Sequence, residues 1–283
     1  MTLTETSPET ATAIESNTPV RSMKVLFIND YLPQEMLGIM WLSRSIKDAG
    51  HQTKALFLPD ADWIKKIGDY TPDVVCFSVT TGMHLYYFDI AKRIRKEYPE
   101  MQIIFGGPHP TFSPEMLEMN EHVDAICRGE GELAIVEYLD KLAAGEDTSF
   151  VQNMWVRDRK TGEIAKNPQR TPIQDLDSLG FPDREVIYDA GSIYAESDRK
   201  VFVTQRGPMN CSFCFHHALK KKVVATTNAK YVRKRSVDHV IAEIKHVRDK
   251  YNLKFIHFLD DIFNLSGKWL DEFCEKYPKE IGI

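Results

Sequence analysis

Apolar residues along this chain fall into short unbroken runs, separated by stretches in which they recur at helical spacing. MKVLFIND (23–30), HQTKALFL (51–58), DVVCFSVTT (73–81), QIIFGG (102–107) and AICRGEGE (125–132) each read as a strand buried on both faces. Between them, Ile39, Leu42, Ile46 and Ala49 share one stripe, which predicts a helix over 37–49 stopped by Gly50. Further helices are expected at Trp63–Tyr70, His84–Tyr98 and Leu133–Ala144, the last ended by Gly145. Strands alternating with helices at this spacing imply a doubly wound parallel-sheet α/β domain over residues 23–146. Ligands of such sheets sit outside the carboxyl ends of the strands. Those ends are polar or glycine-rich here, at 29–30, 78–82, 106–111 and 129–132.

The flanks have a different texture. Residues 1–22 are rich in Thr, Ser, Glu and Pro and read as a disordered tail. Residues 147–199 read as a linker containing a β-hairpin, with a Lys-Thr-Gly turn and Val151, Met154 and Val156 left to pack. From residue 200 a strand at Val201–Thr204 leads to a Gly-Pro turn and a cysteine loop. Ser236 then caps a helix whose stripe is Val237, Val240, Ile241, Ile244 and Val247. KFIHFLDD is a further strand and GKWLDEFCEKY starts another helix. This βαβα order matches the opening of a (β/α) barrel over 200–283, expected to be cut short at Ile283.

Composition narrows the function classes. The chain has 43% hydrophobic and 27% charged residues and a formal net charge of −5, which gives no basic face for nucleic acid. The run Lys220–Lys222 reads as a solvated loop. No apolar run approaches the roughly 18 residues a membrane span needs, and the first residues do not resemble a secretion signal. Five scattered cysteines do not make a disulfide framework, so the cytoplasm is the default compartment.

The chemistry concentrates at Cys211-x-x-Cys214, on a loop just after a strand, where two thiolates can close on one soft metal centre. His216 and His217 follow, so a zinc site of those four side chains is one alternative. Cys76, Cys127 and Cys274 read as core filler.

The segment KVFVTQRGPMNCSFCFHH resembles the cluster loop of radical S-adenosylmethionine (radical SAM) enzymes, written R-G-C-P-x-x-C-x-x-C. Arg206, Gly207, Pro208, Asn210, Cys211, Phe213 and Cys214 match it, whereas the first Cys is absent because Pro208 follows Gly207 directly. Upstream, SVTTG (78–82) and GGPHPTF (106–112) resemble the loops of flavodoxin-like cobalamin-binding domains, although the first loop, DYLPQEMLG, has Gly38 and no histidine. With DAICRGEGE and LGFPDRE (179–185) in the same order, nearly the whole ordered chain resembles cobalamin-binding radical SAM proteins.

The resemblance implies a [4Fe–4S] cluster on Cys211 and Cys214, S-adenosylmethionine near Phe213, Asp260 and Asp261, and cobalamin near Gly38, Ser78, Thr80, Gly82, Gly106, Gly107 and His109. Asp260 and Asp261 also suit a helix cap or a surface pair, and His109 also suits a polar loop position. The implied activity is methyl transfer or cyclisation on a small-molecule substrate, with a flavodoxin or ferredoxin as electron donor. The alternative is a catalytically inactive cobalamin-binding module, since only two of the three cluster cysteines are present.

Overall fold

The computed structural model describes residues 21–30, 35–58, 60–207, 211, 214–227, 229–264 and 267–282. Residues 1–20, expected to be a tail, lie outside them, as does Phe213. The first half alternates strands and helices: β1 (Lys24–Asn29), α1 (Leu37–Asp48), β2 (Gln52–Phe57), α2 (Trp63–Tyr70), β3 (Val74–Ser78), α3 (His84–Glu97), β4 (Gln102–Gly106), α4 (Pro108–Phe112), α5 (Met116–Met119), β5 (Ala125–Cys127) and α6 (Glu132–Ala144). These five strands are parallel, in the order β2-β1-β3-β4-β5. The chain leaves β1 toward β2 and returns on the other side at β3, so β1 and β3 flank the switch point where an open α/β sheet splays its loops.

Two apolar layers hold the sheet. Val25 and Phe27 of β1 pack with α1 and α6, through Ile39, Met40, Ile46, Ile135 and Leu139. Leu26 and Ile28 pack on the opposite face with Ile67, Ile90 and Ile94 of α2 and α3. Strict alternation of this kind on both faces is what the unbroken apolar runs require. Ala49, placed on the α1 stripe from the sequence, is exposed because the helix ends at Asp48.

The hairpin β6 (Met154–Arg157) and β7 (Ile164–Lys166) does not stand apart as the linker reading suggests. β6 pairs antiparallel with β5, completing a seven-stranded sheet. It covers the edge that the three-residue β5 would leave open. Val151, Met154 and Val156 are all buried.

The second half carries α7 (Glu185–Tyr188), β8 (Arg199–Phe202), β9 (Gln205–Arg206), α8 (Phe215–Thr227), β10 (Arg233–Lys234), α9 (Val237–Lys250), β11 (Phe255–Phe258) and α10 (Gly267–Glu280). β11 pairs parallel with β8, and β9 antiparallel with β10. The Ser236 hydroxyl accepts from His239 N at 3.1 Å, a cap that contributes about 1 kcal/mol. The five stripe residues of α9 pack with Phe202, Trp269 and Phe273. Each such buried side chain contributes roughly 1.5–3 kcal/mol. Two expectations fail here. Lys220–Lys222 lie on α8 rather than in a loop, because the residues after the second cysteine continue as a helix. Cys274 lies on the exposed side of α10 rather than in its core stripe.

Candidate functional site

The carboxyl edge of the parallel sheet is lined by one row of side chains. Ser78 is in register with Gly106, and Phe27 with Cys76. Two residues further along β1, Asn29 therefore stands beside Ser78, giving the row Asn29, Ser78, Gly106. The row lies on the same face as Phe27, Cys76 and Ile104, which belong to the α1–α6 layer. Asn29 is 1% exposed, and neither atom of its amide finds a hydrogen-bond partner among the described residues.

Loops after the strands complete the edge. Gly107 has φ +94°, and a Cβ there would lie 3.0 Å from Val79 N and 3.2 Å from Ser78 Oγ, so the β3 and β4 loops touch through a residue without a side chain. Val79 accepts from His109 N at 2.9 Å. Thr80, Gly82 and Gly38 are exposed, and space is open at the two glycines. His109 is buried, with Nδ1 3.1 Å from the Thr81 hydroxyl and its ring stacked on His84 at 4.1 Å. Burial lowers its basicity, and the His84 ring adds to that.

These features fit a bulky ligand at the switch point: open loop backbone, free hydroxyls and an amide without a partner. A cavity of about 260 Å³ opens beside them, between Gly107, Phe112 and Gly129 of the first half and Phe215, Tyr231 and Arg233 of the second. It is too small for a large macrocycle and joins the two halves.

Ion pairs weld those halves together. Glu130, in the β5–α6 loop, lies 2.8 Å from Arg233 and 3.4 Å from Arg206, and accepts from Ile173 N at 2.9 Å. Arg206 also donates to Glu132 at 2.5 Å. Deeper, Arg184 of the LGFPDRE stretch reaches Glu35 at 2.7 Å and Glu243 at 3.0 Å, and Arg235 reaches Glu243 at 2.5 Å. Glu35 also accepts from Val201 N at 2.5 Å and from the Tyr188 hydroxyl. Sequence reasoning missed this network. Its signal in the sequence was slight: Glu35 and Glu243 are single charges, the latter inside the apolar stretch VIAEI.

The cysteine loop is held by its flanks. Cys214 N donates to Cys211 O at 3.0 Å, and both residues are half-buried. Among the described residues no three or more His, Cys, Asp or Glu side chains gather as a metal site. His216 does not join the two cysteines in a zinc set. Its Nδ1 lies 2.9 Å from the Tyr231 hydroxyl and its Nε2 3.4 Å from Asp261, which is exposed. The described residues therefore do not fit an iron–sulfur cluster. Asp260 is turned inward, accepting from Thr204 N at 2.9 Å, the Thr204 hydroxyl at 3.0 Å and Gln205 N at 2.9 Å. Burial raises its pKa, against the pull of those donors. It caps the backbone after β8. Burial pushes the Cys76 thiol up and Cys127 to about 12, so both are inert.

Residues 23–139 match the family described as "B12 binding domain". An uncharacterized methyltransferase of Pyrococcus horikoshii is 30% identical over 244 residues, 82% of this chain and 50% of that protein. The anaerobic magnesium-protoporphyrin IX monomethyl ester cyclase of Rubrivivax gelatinosus is 28% identical over 77% of this chain and 39% of its own length. Among solved structures, the cobalamin-dependent S-adenosylmethionine radical enzyme OxsB superposes with a TM-score of 0.71, at 19% identity, over 92% of this chain and 37% of that one. The chain thus spans half or less of the length of each of these three proteins.

Proposed function

We propose that this chain is a cobalamin-binding radical SAM family protein built on a B12 binding domain, and that it binds cobalamin over the carboxyl edge of the parallel sheet. The observation that carries this is the Asn29 amide, without a partner among the described residues, in the glycine-flanked row at the β1–β3 switch point. Ser78 and Thr80 offer hydroxyls to the ligand's polar rim, and Gly38, Gly82, Gly106 and Gly107 let backbone approach its face. The first loop, residues 30–38, contains no histidine, so the protein supplies none there to the cobalt. When bound, cobalamin supplies a transferable methyl group or a redox-active cobalt.

Cys211 and Cys214 offer two thiolates, and no step through a cluster or S-adenosylmethionine is assigned to this chain. The unaltered protein is a cobalamin-binding module of a methyltransferase or cyclase type, acting in the cytoplasm. Titrating the full chain with hydroxocobalamin under equilibrium dialysis tests this. Uptake of one equivalent supports it, and no uptake overturns it.

A second reading keeps the radical chemistry, with a small-molecule substrate and a flavodoxin or ferredoxin as reductant. It is favoured by Arg206 and Gly207, which remain locked in place beside the loop. Anaerobic iron–sulfur reconstitution beside a variant with Cys inserted between Gly207 and Pro208 separates the two. A full [4Fe–4S] complement in the unaltered chain supports the second reading. Iron in the insertion variant alone supports the first.

A further inference from the structure

Resting on the cobalamin reading, we propose that Asn29 is the residue that reads the corrin's peripheral carboxamides. β1 is an interior strand, with β2 on one side and β3 on the other, and Asn29 is its last residue. The main chain around it is engaged by the fold: Asn29 O accepts from Leu58 N at 3.0 Å, and the next amide, Asp30 N, donates to the Tyr87 hydroxyl at 3.0 Å. Its side chain is not engaged. Both amide atoms lack a partner among the described residues, at 1% exposure.

An amide buried this way destabilises the protein unless something completes it. The strand residues that share this face with Asn29, Val25 and Phe27, are apolar and belong to the layer packed with α1 through Ile39, Met40 and Ile46. A leucine would suit that packing, so the fold itself does not require the amide. Ser78 beside it is half-buried and its hydroxyl faces the same loop contact at Gly107. The free amide offers one donor edge and one acceptor edge side by side. That edge is complementary to a primary carboxamide, which pairs with it through two reciprocal hydrogen bonds. A carboxylate would satisfy only the donor. Corrin carries primary carboxamides around its rim, and its nucleotide tail carries none.

The test uses the full chain, with Asn29→Leu and Asn29→Ser, in equilibrium dialysis against hydroxocobalamin, cobinamide (carboxamides kept, nucleotide removed) and cobyrinic acid (carboxamides replaced by carboxylates). The unaltered chain is expected to bind cobinamide at least tenfold more tightly than cobyrinic acid. Both variants should lose tenfold or more toward hydroxocobalamin and cobinamide alike, and the cobinamide preference should vanish. Apo Asn29→Leu should melt at the same temperature or higher, because it removes an unsatisfied buried amide. A purely structural role would instead lower it. Asn29→Ser serves as the smaller, polar control should Asn29→Leu fail to fold. Hydroxocobalamin uptake that both variants leave within twofold overturns the inference alone. Lack of uptake by the unaltered chain overturns the cobalamin reading and the inference with it.

Discussion

Arg206, the residue before the glycine of the cysteine loop, donates to the Glu132 carboxylate of the sheet domain at 2.5 Å. Both side chains are largely buried, and Glu130 beside them also faces Arg206. Burial alone would weaken the guanidinium's charge, but the two carboxylates more than restore it. The two motifs that flank the linker in sequence, GEGE and RG, are thus one contact in space.

Removing the Glu132 charge leaves the largely buried Arg206 with Glu130 alone, at 3.4 Å. Glu132→Gln is expected to cost roughly 3 kcal/mol of unfolding free energy. Urea denaturation of the full chain measures it. A loss under about 0.5 kcal/mol would show that Glu130 alone suffices.

Gly207 sits next, at φ +81°, where a Cβ would lie 2.3 Å from the Tyr231 carbonyl oxygen. Backbone cannot yield as a side chain does, so Gly207→Ala must open the β9–β10 ladder. The expected cost is about 2 kcal/mol or more. Alkylation of Cys211 and Cys214 should accelerate in parallel, read by peptide mass spectrometry against the exposed Cys274 as internal reference.

Arg184 joins Glu35 of the first half to Glu243 of the second, with all three side chains nearly inaccessible. Arg184→Met leaves Glu35 without a cation, whereas Glu243 keeps Arg235, and should cost about 3–5 kcal/mol. Adding Glu35→Gln should recover much of that loss, while Glu243→Gln should not, because it deprives the buried Arg235 of its partner. A double-mutant cycle on Arg184 and Glu35 should give a coupling of about 1–3 kcal/mol. A coupling near zero would mean that the Arg184–Glu35 pair does not help hold the halves together.

His109 contributes a pH dependence whose sign follows from its environment. Burial first, and the stacked His84 second, lower its folded-state pKa below 6.5. The unfolded chain therefore takes up the proton first. The contribution to stability is complete above about pH 6.5 and is lost as pH falls through the lower folded value. Thermal melts between pH 7.5 and 5 should show Tm falling, and His109→Gln should flatten the slope. An unchanged slope would assign the pH dependence to other groups.

Much of the first half was legible because its periodicity is local. The runs at MKVLFIND, DVVCFSVTT and QIIFGG became β1, β3 and β4, and Trp63–Tyr70 became a helix with those same limits. Ser236 caps its helix as its side-chain chemistry requires. The site was legible in part. Ser78 and Gly106 share a row, and Gly107 makes a close backbone approach. Asn29 was seen only as a polar strand end.

By itself, the sequence determined most elements of the first half, its parallel sheet and the absent cluster cysteine, since each depends on neighbours a few residues apart. Only the tertiary structure decided that the hairpin joins the sheet, that Asp260 caps the backbone of Thr204, and that Glu35, Arg184 and Glu243 meet. It also decided that the Asn29 amide is left without a partner. The reason is physical: periodicity reports which face of an element is apolar, whereas a buried charge or amide is defined by groups far away in the chain. Its partner, or the lack of one, exists only once the halves have closed on each other.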